Sequence, residues 1–307
     1  MRSVIESSEE QPEQEAEHAG RIARARATAE ELQHRARDEL DEARAHHASV
    51  QLAVEAFESD QARAGGLLAG GLAYRIFLWQ IPFALFLVSS FGLVTELAGV
   101  EPADLARRAG MTAALAGAIA QAVEASNEGR VWLMILGASL TIWAGRGVFR
   151  GARLVSELAW GARAARASSV KGSLVVTGFG LATVALQALL PKVTSQLGVP
   201  VPLRFVLGLF LASGLAAWIL TLLPYDDAPW VAVVPGAMLL GIGMRLLGLA
   251  ASTYFAYRLD QADDLYGSLS IAIVLMLYLF LLARLFVAAQ FLNATLYRRK
   301  AVTATGD

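Results

Sequence analysis

The sequence predicts an all-α polytopic membrane protein: a bundle of six transmembrane helices preceded by an N-terminal cytoplasmic helical extension. Three observations carry that prediction. Of the 307 residues, 56% are apolar and 17% charged, whereas soluble domains run at about 45–50% and about 25%. The charges are also segregated: 23 of the 53 lie in the first 63 positions, leaving 30 for the other 244 residues. Finally, the apolar remainder falls into six stretches, each close to the roughly 20 residues a helix needs to cross a bilayer.

Residues 1–20 carry six Glu and little that is apolar, a composition that predicts disorder. From Ile22 to Phe57, apolar or small residues recur at 22, 25, 29, 32, 36, 40, 43, 47, 50, 54 and 57, with His47 the one polar entry. Steps of three and four mark one stripe of a long helix. That stripe suits a cytoplasmic partner or a second copy of the chain, or the cytoplasmic membrane face. A solvated extension without a partner satisfies the pattern equally well. Gly65–Gly66 predicts a hinge into the membrane domain. The division expected is 1–63 as the acidic tail, 64–297 as the membrane domain and 298–307 as a short cytoplasmic C-terminal tail.

The six spans are expected at 68–94, 131–150, 173–191, 203–224, 230–251 and 267–294. In the last, 15 Leu, Ile, Val or Phe residues stand between Leu269 and Leu292. Each contributes roughly −0.3 to −0.6 kcal/mol near a helix centre, against about +2.5 to +3.5 for the single Arg284. The runs are continuous and lack the in–out alternation of barrel strands. Segment 98–130 reads as one or two small-residue helices on the far side. Lys and Arg counts give 17 in the tail-side segments and six in the others, which predicts both termini in the cytoplasm. The acidic start lacks the apolar core of a signal peptide, so the first span is expected to serve as an uncleaved targeting signal.

The spans are as informative in what they lack. There is no Cys, and all four His (His18, His34, His46, His47) lie in the tail, so no metal site or cofactor is expected. No Asp or Glu lies within the six predicted spans, whereas proton relays run through buried carboxylates or histidines. An acidic tail does not suit nucleic acid, whose affinity rests on Lys and Arg. Phosphate-binding loops and nucleophile elbows are missing from the sequence as well, and no catalytic residue is assigned.

What the spans do carry is arginine: Arg75, Arg146, Arg245 and Arg284. A charge inside a membrane is costly, and that makes each a functional hypothesis. For Arg75 and Arg146, near span ends, snorkelling to the interface is the simpler reading. Arg245 shares a stripe with Gly241, Gly248 and Ser252, a small-residue face that packs on neighbouring helices. It therefore points into the bundle or into a water-filled cavity, and with no carboxylate in the spans a helix C-terminus, a carbonyl or an anionic ligand such as a lipid headgroup suits it as partner. Arg284 sits nearer mid-span and is read the same way. Gln80, Gln187, Gln290 and Asn293 read as interhelical hydrogen-bonding residues, and Pro82, Pro191 and Pro235 as punctuation, with Pro82 expected to kink its helix.

Four ordered segments resemble the YihY/virulence factor BrkB family of bacterial inner-membrane proteins. They are LLAGGLAYRIFLWQIPFALFL (67–87), LPYDDAPWVAVVPGAMLLG (223–241), YFAYRLDQADDLYGSLSIAIV (254–274) and LFVAAQFLNATL (285–296). Tyr74, Pro82, Pro235, Gly236, Tyr266 and Gly267 are the motif positions within them. The resemblance implies a six-helix inner-membrane protein, with family members connected to serum resistance and envelope lipid transport. Members often show Gly-Ala-Glu where Ala288-Ala289-Gln290 stands here. The family's older ribonuclease label implies RNA hydrolysis, for which this chain lacks the metal-binding or acid–base residues. The reading that follows is a non-enzymatic transporter or binder of an anionic, lipid-like substrate, with Arg245, Arg284, Arg75 and Gln290 as its substrate-binding candidates. The alternative is a scaffold that recruits a partner through residues 22–57.

Overall fold

The computed structural model describes residues 48–98, 121, 129–161, 169–225, 228–262 and 268–305. The tail before Ala48, nearly all of the predicted 98–130 helices, Tyr266 and Gly267 lie outside them. Helix α1 (Ala48–Ala62) precedes six long helices: α2 (Gly65–Ala98), α3 (Arg130–Trp160), α4 (Ser169–Gln196), α5 (Val201–Thr221), α6 (Val234–Ala262) and α7 (Ser268–Thr305). Each of the six contains a stretch long and apolar enough to cross a membrane, and the described residues contain no strand.

Each long helix packs on its neighbours in sequence, and α7 closes back on α2. The result is a ring of six helices, crossed by a further contact between α3 and α7. Small residues permit the close approaches, as they do between membrane helices generally. A Cβ on Gly137 would lie 2.9 Å from the backbone nitrogen of Phe86, and one on Gly241 would lie 2.9 Å from the backbone of Ser213. These glycines set the α2–α3 and α5–α6 spacings.

Helix α3 runs through Trp160, ten residues past the predicted span end. Its charges account for the extension. Arg150 is exposed, and Arg153 donates to Glu157 one turn on at 2.8 Å. The helix stops at Gly161, whose left-handed φ of 75° lets its N–H return to the Glu157 carbonyl. Pro82 lies inside α2, which continues through it, while Pro235 occupies the first turn of α6. An N–H would have no helical partner in a first turn, so Pro235 opens its helix and does not bend it.

The bend into the first long helix falls at Arg63–Ala64, just before the predicted glycine pair. Ala64, not a glycine, takes the left-handed conformation, with φ 53°. Gly65 serves close approach instead: a Cβ there would lie 1.7 Å from the Asp60 carboxylate. A compact unit begins at Ala56. Ala56 and Asp60 are buried against it, while Phe57, on the predicted stripe, is exposed.

Hydrogen bonds join several chain segments at one end of the ring. Arg63 donates to the carbonyls of Leu158 and Ala159, and Arg298 also donates to Ala159. The Ser156 hydroxyl reaches the Pro224 carbonyl. Trp160 packs edge-on to Tyr225 and tilted against Tyr297. The α1–α2 turn, the end of α3 and the α5–α6 connection therefore share one end.

Candidate functional site: an arginine facing a cavity within the ring

The ring surrounds a partly open cavity of about 320 Å³ to which all six long helices contribute. Its walls are mainly apolar. Trp79 and Phe83 of α2, one turn apart, stack with ring centroids 4.4 Å apart, and Phe149, Phe179 and Phe286 add rings from α3, α4 and α7. The polar side chains are few: Gln80, Thr183, Gln187, Arg245 and Tyr278. Thr183 is satisfied locally, donating to the Phe179 carbonyl at 2.8 Å.

Arg245 is the cation of this lining. Its guanidinium lies against the bare backbone of Gly208 in α5, where a Cβ would stand 1.8 Å from Nη2. Its Nε is buried and has no hydrogen-bond partner among the described residues. Trp79 Nε1 and Gln80 Oε1 are in the same condition. Buried polar groups are normally paired, and a cation in an apolar enclosure attracts an anion far more strongly than it would in water. The arrangement suits a ligand with one anionic group and an apolar body. The predicted small-residue stripe accounts for Gly241, which bears on α5, and stops there, since nothing lies near Gly248.

The other three substrate-binding candidates lie outside the cavity lining. Arg75 is exposed on α2, lies over Gly151 and donates to the Gly147 carbonyl of α3 at 3.2 Å. Arg284 forms an ion pair with Asp60 at the end of α1. Gln290 is fully buried, and its Oε1 accepts from Trp160 Nε1 at 3.1 Å. The polar residues read together in the sequence thus divide: Gln290 and Asn293 tie helices together, while Gln80 and Gln187 face the cavity.

Asp60 is the residue that reading the spans alone misses. It is 3% exposed, and its carboxylate also rests beside Gly65 at the start of α2, where the helix dipole favours negative charge. The sequence holds one pointer to it: an arginine deep in a span needs a counter-charge, and Asp60 is the carboxylate nearest the first span on its N-terminal side.

Of the motif positions, Gly236 has a clear structural part. A Cβ there would lie 2.4 Å from the Ala289 carbonyl oxygen. Its N–H donates to Asn293 Oδ1 at 2.6 Å, and Asn293 Nδ2 donates to the Val233 carbonyl at 3.2 Å. Asn293 thereby caps α6 from α7, joining the second and fourth motif segments. Tyr74 is exposed on the outside of the ring. In comparison with known proteins, the family profile described as Virulence factor BrkB matches residues 56–307. No curated protein and no solved structure matches the chain.

Proposed function

The chain belongs to the virulence factor BrkB family of integral membrane proteins, and from that premise we propose that it binds and moves an anionic, lipid-like substrate without chemically altering it. The observation that carries this reading is Arg245, a cation facing a mainly apolar cavity inside the ring, whose Nε has no partner among the described residues. Arg284 and Arg75 already have protein partners, and Arg146, whose Nε is likewise without a partner among the described residues, is not part of the cavity lining, which concentrates the reading on one cation. The proposed location is the bacterial inner membrane with both termini cytoplasmic, supported by the 17-to-six division of Lys and Arg. The cross-linked end of the ring would then face the cytoplasm.

The test is native mass spectrometry of the full chain, gently extracted from its own membrane. An anionic lipid or organic acid is expected to stay bound, and to be lost from Arg245→Ala while the protein remains monodisperse. Equal retention by both proteins refutes the assignment.

A further inference from the structure

Building on that reading, we propose that Gly208 is the positioning residue that makes the cavity selective for anions, and that the ligand is an organic acid with a single apolar chain. An arginine side chain is long and flexible, and in a membrane it swings readily towards the interface. Here shape holds it. The guanidinium occupies the space that a side chain on α5 would fill, since a Cβ at Gly208 would stand 1.8 Å from Nη2 and 2.7 Å from Cζ of Arg245. Leu190 of α4 closes the slot, with Cδ2 3.1 Å from the same point. The two helices cannot part to make room without losing contact one turn away, where Gly241 bears on the Ser213 backbone.

Two glycines therefore divide the work. Gly241 fixes the distance between α5 and α6, and Gly208 leaves the notch that directs the cation. No carboxylate holds Arg245 among the described residues, so the charge is available to an incoming anion. A neutral ligand of the same shape gains the apolar walls and the neutral polar groups but no charge, so discrimination between acid and ester depends on where the guanidinium stands. The volume narrows the class further. About 320 Å³ lies at the small end of the roughly 300–1,000 Å³ spanned by small-molecule pockets. The cavity is partly open, and a single chain is the ligand its volume matches.

The experiment places the full chain in phosphatidylcholine nanodiscs and counts bound adducts by native mass spectrometry. The probes are palmitate, methyl palmitate and dipalmitoyl phosphatidylglycerol. The unmodified chain is expected to prefer palmitate over its ester by about tenfold or more, the scale of one charge-assisted hydrogen bond. Arg245→Ala and Gly208→Ala are both expected to erase that preference while still binding the ester. The double variant Gly208→Ala/Arg245→Lys should regain it, because a slim ammonium avoids the new methyl group. If Gly208→Ala fails to fold, the double variant, free of the collision, decides alone.

Undiminished acid preference in Gly208→Ala, or no recovery in the double variant, overturns the role given to Gly208 and leaves the Arg245 reading standing. Undiminished preference in Arg245→Ala overturns that reading as well. Arg245-dependent binding of the two-chain lipid without palmitate overturns the single-chain assignment alone.

Discussion

The pair formed by Asp60 and Arg284 shows how much one carboxylate changes the meaning of a membrane arginine. An unpaired Arg at a span centre costs about 2.5 to 3.5 kcal/mol on insertion scales, and Asp60 offsets that by bringing a charge in from α1. Removing one partner of a fully buried pair is typically worth about 3–5 kcal/mol, whereas replacing both by apolar residues is often neutral; this pair is buried on the Asp60 side and partly exposed on the Arg284 side, so its loss should fall below that range. Asp60→Ala should therefore lower the thermal melting point of the purified protein, and Asp60→Leu/Arg284→Leu should restore most of it. A single variant that melts like the parent shows that the pair contributes nothing. The inward aim of Arg245 was legible from Gly241 one turn before it, though the rest of the expected small-residue stripe, at Gly248, packs on nothing. The pairing of Arg284 was not, because 224 residues separate it from Asp60 and no local pattern encodes a contact of that span.

At the scale of elements, the start of α6 depends on α7. Asn293 satisfies the Gly236 N–H and adds a donor to the Val233 carbonyl, so Asn293→Ala leaves the buried Gly236 N–H unpaired. The loss expected is about 1–3 kcal/mol for that unsatisfied group, read as a lower melting point, with Asn293→Gln recovering little because its extra methylene displaces the amide. The six helices themselves were plain from apolar length, as was the interhelical role of Gln290 and Asn293. Their ends were less so. Composition stops the second span at its first cluster of arginines, whereas backbone hydrogen bonding carries α3 on through Arg150 and the Arg153–Glu157 pair.

At the scale of the molecule, the arrangement of helices in the ring invites a direct check, because the chain has no cysteine. A Cβ at Gly145 would lie 3.5 Å from the Ser173 Cβ, at the lower edge of disulfide geometry. Gly145→Cys/Ser173→Cys should oxidise to an intramolecular bridge between α3 and α4, seen as a mass loss of one hydrogen pair. Failure under mild oxidant would contradict that helix pairing. The tail can be separated from the ring in the same spirit. Deleting residues 1–47, which stops short of Ala56, should leave the protein monodisperse and its anionic ligand in place. Loss of function on that deletion with ligand binding intact would favour a scaffold acting through residues 22–57. At the described end of the expected stripe, periodicity did not tell which face the bundle takes, since Ala56 and Asp60 turn inward and Phe57 does not.

The ion pair between α1 and α7 also sets an order of events during synthesis. Asp60 is made early, and its partner follows 224 residues later, about 10 to 45 s at ordinary elongation rates. Until the sixth span arrives, the carboxylate at the mouth of the first has no arginine to meet. Docking of α1 thus becomes a completion mark: the chain's first membrane contact is sealed only when its last has been delivered.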